Sequence, residues 1–349
     1  MKKKLITVIA TVLSMVMLLT MPCDAAKIYY TSVAKIENQK IYTTERGTMN
    51  FTSMQGMAVG SQYAYTAKLP VVSNKVVEDY ACIVKTDTVS GKETTLTCNG
   101  KKYITGTGHA NDMCVTSYEK NKSTLFISAT NSANTKEENL LKMSVSGSTI
   151  TKTGAFKIRY NNKPLAITGI SILEHPNNKN GYIITFLIKS KNKLYPKTDD
   201  IYTVRMHASE TKGTITAKKV FTLEKEFVKS NGVRVDYTGY ANQGFSYYND
   251  KLYLPLSGQK SEQNKSVVLV YNNIKDHAYD NSVGERIQPD KNTIFEISDS
   301  NYGNLLEIES CGICTGEDNF KLYFNTNRRK TSTDADWDGL HYVNGYKAK

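Results

Sequence analysis

Helical periodicity is nearly absent from this chain. No long stretch repeats apolar residues at three- and four-residue spacing, which argues against helical bundles and α/β crossovers. Cysteine is scarce, with six in 349 residues, too few for a disulfide-scaffolded fold. Cys311 and Cys314 form a Cys-x-x-Cys pair with no second ligand pair. Residues three apart on a regular strand also point to opposite faces, so this is a weak zinc signal. Cys82 and Cys98 flank the turn signal "VSGK" symmetrically. A hairpin centred there would set them face to face, either as a disulfide or as two small buried thiols. There is no Gly-x-Ser-x-Gly elbow and no cysteine in an activating setting, so a nucleophilic triad is unsupported. No run of five like charges and no basic–aromatic stripe occurs, and nucleic acid is not an expected partner.

Only one segment is apolar enough to engage a bilayer, and it is the first. "MKKKLITVIATVLSMVMLLTMPCDAA" places three lysines before an apolar run and small residues after it. This is the layout of a secretory signal peptide. It predicts cleavage after Ala25 and a single mature domain over 26–349. Lipidation at Cys23, with Pro22 a poor neighbour for it, and a retained anchor are the alternatives. Loss of Lys2, Lys3, Lys4 and Asp24 lowers the net charge from +12 to +10. A basic exported protein is drawn to anionic surfaces such as teichoic acid or acidic polysaccharide. The plainer reading is a solvated basic surface. The expected location is secreted, extracellular or cell-wall associated.

What fills the rest is β-strand grammar. Short runs rich in Tyr, Thr, Ile and Val, such as "YAYTAKL", "GYIITFLI" and "SVVLVYNN", alternate with Gly, Asn and Asp. A looser repeat overlies them. "QGMAVGSQYAYTAKL" at Gln55 matches "QGFSYYNDKLYLPLSG" at Gln243, and "GHANDMCVTSYEKNKSTLFISAT", "TGISILEHPNNKNGYIITFLI" and "EIESCGICTGEDNFKLYFNT" share the layout. Each opens on a polar residue and continues as a four-stranded meander. The units start near Gln55, His109, Thr168, Gln243 and Glu309. One four-stranded sheet cannot bury its own apolar face, whereas a ring of them can. The expectation is an all-β, five-bladed β-propeller, monomeric, with a β-sandwich as the rival. The last unit lacks a strand, and "KIENQKIYTTERGTMNF" can supply it, closing the ring with N-terminal and C-terminal strands in one blade.

The series "QGMAVGSQYAYTAKL", "GHANDMCVTSYEKNKSTLFISAT", "NQGFSYYNDKLYLPLSGQ" and "LEIESCGICTGEDNFKLYF" resembles the helveticin J-like bacteriocins and related teichoic-acid-associated or phage-tail propellers of Gram-positive bacteria. The resemblance covers most of residues 26–349 and departs from the pattern at Asn111-Asp112. It implies a five-bladed propeller acting at bacterial surfaces, with Gln55, His109, Gln243, Glu307 and Glu309 as blade-opening polar residues.

In such a ring the first strands run beside the central channel and start at one end. Gln55, His109, Asn111, Asp112, Thr168, Gln243, Glu307 and Glu309 should then meet at one mouth, where amides, carboxyls and an imidazole suit sugar hydroxyls. The 23 tyrosines could add platforms, or simply fill β positions. Three roles are open for "GHAND": polar strand entry, glycan contact, or catalysis. Catalysis would pair Asp112 with Glu307 or Glu309 as the two carboxyls of a glycoside hydrolase. The third acid usual in five-bladed furanosidases has no convincing source, since Glu174 sits deeper in its strand. Finally, Asp334, Asp336 and Asp338 alternate before Gly339 in "TDADWDGLHY". This resembles the start of a calcium loop, but position 12 holds Gly345; an acidic turn is the alternative. Trp337, the single tryptophan, would be a sugar platform or a lid. The leading expectation is a glycan-binding propeller whose basic charge assists attachment to anionic wall polymer; a glycosidase and a bacteriocin-like antagonist are the alternatives.

Overall fold

The computed structural model describes residues 29–349 except 45–46, 74, 120–121, 130–137, 192–196, 230, 281–283, 317–319, 332–333 and 335–336. The expected leader, residues 1–25, lies outside the described residues. Five antiparallel meanders form the blades of a β-propeller. Their innermost strands are Gly47–Val59, Met113–Glu119, Gly169–Glu174, Ser246–Tyr248 and Leu305–Ile313. These follow the five polar openings read from the sequence, or contain them in the case of Gln55 and Glu309.

Side-chain alternation explains why the sheets close on one another. In the second blade, Leu125 and Ile127 pack with Tyr65 and Ile83 of the first, while Phe126 between them packs with Phe186 of the third. Leu187 and Phe221 of the third blade meet Leu252 and Leu254 of the fourth. Tyr253 and Phe295 of the fourth meet Leu306 and Phe324 of the fifth. Met54 and Val84 meet Tyr323 and Leu340 across the last junction. Among the described residues, five apolar layers lie between the five sheets.

The ring is closed by Tyr30–Lys35, which pairs antiparallel with Gly339–Val343 in the fifth blade. The closing strand is therefore the one before the segment expected from sequence. Residues Gln39–Thr44 instead fold back on the start of Gly47–Val59. At the seam, the buried His341 ring joins Ser32 Oγ and Thr326 Oγ1, each at 2.9 Å. Two peripheral strands stitch neighbouring blades in parallel: Lys212–Thr216 onto the second blade and Glu285–Ile287 onto the third.

The expected opposition of Cys82 and Cys98 is not found. Val84 pairs with Thr95, so the register is one residue away from the one that would join the cysteines. A one-residue slip sends side chains to opposite faces. All five described cysteines are free, and the Cys82 thiol donates to the Lys102 carbonyl at 2.8 Å. Burial pushes that thiol up to about 12. Among the described residues, no group of three or more His, Cys, Asp or Glu is arranged to hold a metal. No described helix is long and apolar enough to cross a membrane.

Candidate functional site at the channel mouth

The blade openings converge. A cavity of about 960 Å³ lies over the starts of the inner strands, lined by Gln55, His109, Asn111, Gln243, Glu307 and Glu309 among others. Residues more than 250 apart in sequence share this wall. Second strands also contribute, because each antiparallel partner returns to the same end: Asn327 and Arg329 come from the end of Leu322–Arg329. Asn50, Thr52, Ser53 and Asn242 complete a rim of small polar groups.

The acid groups at this mouth are not independent. The Glu307 and Glu309 carboxyls act on one another. Strand alternation puts residues two apart on one face, and the ladder shifts register between Ile308 and Ser310, with Glu309 at the irregularity. Gln243 Nε2 donates to Glu307 Oε1 at 2.7 Å, and Asn327 Nδ2 donates to Glu309 Oε1. Burial, then the neighbouring Glu307 carboxyl, raises Glu309 well above the usual carboxylate range; burial also raises Glu307. Proximity of two carboxyls makes each harder to ionise beside the other. The mouth thus offers carboxyl groups and a ring of amides.

Asp112 does not line the mouth. It is fully buried beneath it. Its Oδ2 accepts from the backbone N–H of Ile170 at 2.9 Å and of Phe245 at 3.0 Å, and its Oδ1 accepts from Ser310 Oγ at 2.7 Å. One side chain of the second blade therefore ties the third, fourth and fifth together at the axis. The first blade closes on the same point, where Gly56 N donates to the Ala110 carbonyl at 3.0 Å. Cβ atoms at Gly56 and Gly244 would lie 2.6 Å from Asp112 Cα and 2.5 Å from Asp112 Oδ1. Those two glycines are required by close approach. Burial pushes Asp112 up to about 7, against the hydrogen bonds from Ser310, Ile170, Phe245 and Met113 that favour the carboxylate. With no exposed surface, Asp112 cannot touch a ligand in this arrangement.

The other expected residues divide. His109 Nδ1 lies 3.3 Å from Glu78 Oε1 at the rim. Thr168 is absent from the cavity wall, and its hydroxyl donates to the Lys189 carbonyl at 3.2 Å. Glu174 accepts from Thr185 Oγ1 at 2.9 Å. Asp334 and Asp338 each have partners of their own. Asp334 accepts from Trp337 Nε1 and Lys330 N, both at 3.0 Å, while Asp338 is buried 3.0 Å from Lys68 Nζ. Asp336 lies outside the described residues. Trp337 carries the Lys330 ammonium 3.6 Å from its ring centroid, so that face is covered.

Two buried lysines hold the mouth from below and are not among the residues expected from sequence. Lys68 meets Asp338, the Asn38 side chain at 2.8 Å and the Ile36 carbonyl at 3.1 Å. Lys189 donates to Asn242 Oδ1 at 3.0 Å and to the Gln243 carbonyl, fixing two lining residues. Burial lowers Lys189 to about 8, and Asp199 opposes that shift. Their only signal is a charge inside an apolar strand, "AYTAKLP" and "ITFLIKS". Among the described residues no tyrosine lines the mouth; its apolar wall is Val71, Val76 and Leu305.

No protein-family model matches the chain, and no curated protein sequence matches it. The fold has solved counterparts. A levansucrase variant from B. megaterium superposes with a TM-score of 0.50 at 10% identity, covering 94% of this chain and 93% of that one. The GH43_1 enzyme from Xanthomonas citri gives 0.45 at 6% identity, covering 93% and 92%. Bombyx mori GH32 beta-fructofuranosidase gives 0.46 at 9%, covering 83% and 59%. At these identities the likeness concerns the propeller fold.

Proposed function

We propose that this protein is a glycan-binding β-propeller that takes a hydroxyl-rich sugar unit into the channel mouth. One observation carries the reading: Gln243 bonded to Glu307 and Asn327 bonded to Glu309 form a fixed donor–acceptor array at the wall of a cavity of about 960 Å³. Sugar hydroxyls need both donors and acceptors in set directions, and buried polar partners discriminate strongly against ligands lacking them. Among the described residues Arg329 is the one Lys or Arg in a lining that also holds Glu307, Glu309 and Asp338, so the mouth favours a neutral sugar unit over a polyanion. The net charge of +10 over residues 26–349 resides elsewhere and would assist approach to anionic wall polymer from outside. Export rests on the N-terminal segment and a setting at the Gram-positive wall on the resemblance of the blade openings; both belong to this proposal.

Binding is favoured over hydrolysis by geometry. Glycosidases flank the scissile bond with two carboxyls about 5–9.5 Å apart. Asp112, the expected partner of either glutamate, is sealed beneath the cavity, which among the described residues leaves Glu307 and Glu309 of a single strand as its wall acids beside Asp338, itself paired with Lys68. The test is sedimentation of residues 26–349 with purified Gram-positive walls, intact or stripped of teichoic acid, at low and high salt. Asn111→Ala/Gln243→Ala should lose salt-resistant binding with its melting temperature unchanged. Binding that disappears with salt equally in both proteins would leave surface charge alone and refute a mouth site. Release of reducing sugar would refute the non-catalytic reading.

A further inference from the structure

The tyrosines missing from the mouth gather next to it. A second cavity, about 390 Å³, lies where the fourth and fifth blades meet the closing strand. Tyr29, Tyr30 and Tyr302 line it together with Asp299, Asn301 and Arg328. Tyr30 Oη donates to Asp299 Oδ2 at 2.6 Å, and the Arg328 guanidinium carbon sits 4.4 Å from the centroid of Tyr302. Arg328 also donates through Nε to the Trp337 carbonyl at 2.7 Å, which fixes its plane. Tyr29 is 67% exposed. Aromatic faces beside a fixed guanidinium and an anchored carboxylate are the elements a pyranose ring uses: CH faces on rings, hydroxyls on charged partners.

The two cavities share a wall. Arg328 faces the tyrosines and Arg329, the next residue, lines the mouth. Tyr302 belongs to one cavity and Leu305, three residues on, to the other. Consecutive strand residues point to opposite faces, so a sugar chain crossing this strand end would meet both cavities. We infer that the tyrosine cavity is a second subsite for the same ligand, which makes the ligand class an oligosaccharide or polysaccharide rather than a free monosaccharide. The inference rests on the mouth reading for the first unit. The mouth fixes one unit by hydrogen bonds, and the tyrosine cavity holds a following unit by stacking. Linking two weak sites through one chain raises affinity without new contacts at either.

The experiment is titration of the full mature chain with chito-, galacto- and fructo-oligosaccharide ladders, each from monosaccharide to hexamer. Affinity for one ladder should rise with length and then level off. Tyr29→Ala and Tyr302→Ala should each remove about fivefold or more of that rise while leaving monosaccharide binding unchanged. Tyr302→Phe, which keeps the ring, should retain it. Gln243→Ala should weaken every length, monosaccharide included. Affinity independent of length, or a rise untouched by both tyrosine variants, would overturn the second subsite and spare the mouth. Failure of every ladder to bind wild-type protein would overturn both.

Discussion

Replacing Asp112 with alanine removes one acceptor group from three buried donors at once: Ile170 N, Phe245 N and Ser310 Oγ. Each stranded donor costs about 1–3 kcal/mol. Ser310 can turn toward the Met57 carbonyl, 3.4 Å away, so its share is the smallest. The expected loss is therefore about 3–5 kcal/mol, and for a chain of this size about 5–8 °C in melting midpoint. The Asp112→Asn variant keeps the shape: its amide oxygen can serve the two backbone donors while its amide nitrogen faces Ser310, and the cost should stay near about 1 kcal/mol. The pH dependence separates them further. Asp112 is raised from its ordinary 3.8 to about 7 by burial. A raised carboxyl contributes stability that is complete below the unfolded value and is lost as pH rises through the folded one. The Asp112→Asn variant lacks this loss, so it should gain on wild type between about pH 4 and 7. Calorimetry of the three proteins across that range measures both effects. An Asp112→Ala protein that melts within about 1 °C of wild type would refute the claim that this side chain ties four blades together.

Three further outcomes follow from the same packing. Gly244→Ala would force a Cβ to 2.5 Å from Asp112 Oδ1 and should cost about 2 kcal/mol or more, whereas Gly213→Ala, with nothing within 4 Å, should be near neutral by denaturant titration. Lys68→Met would leave Asp338 buried without its cation and should cost about 3–5 kcal/mol; a stable variant with an unchanged midpoint would contradict the ion pair. His341 is held well below its ordinary value, first by burial and then by Arg328. Its folded state binds fewer protons than its unfolded state, so stability should fall as pH drops below about 6.5. Hydrogen exchange should show Tyr30–Lys35 opening first under acid, and His341→Asn should blunt that response.

The ring is legible in the sequence because each blade repeats a polar opening, a turn and an apolar strand, and because a lone four-stranded sheet cannot bury its own apolar face. Depth is not legible. Nothing in "GHANDMCV" says that Asp112 sits a residue too far down the strand to see solvent, while Asn111 beside it lines the cavity. The closing strand is ambiguous because "YTSVAK" and "QKIYTT" alternate equally well, and only the pairing with Gly339–Val343 separates them. Lys68 and Lys189 escape notice since lysine in a strand normally signals its solvent face. The mouth's second-strand residues, Asn327 and Arg329, lie beyond any reading that looks for function in first strands alone. The spacing of the aspartates near Trp337 gives no sign that Lys68, 270 residues away, pairs with Asp338.

Hydrogen exchange on the protein saturated with wall-derived oligosaccharide tests the central claim most directly. Slowed exchange in the segments holding Gln55, His109–Asn111, Asn242–Gln243 and Leu305–Glu309, with the outer strands unchanged, is the predicted result. Protection confined to outer strands or spread evenly over the basic surface would contradict a glycan site at the channel mouth.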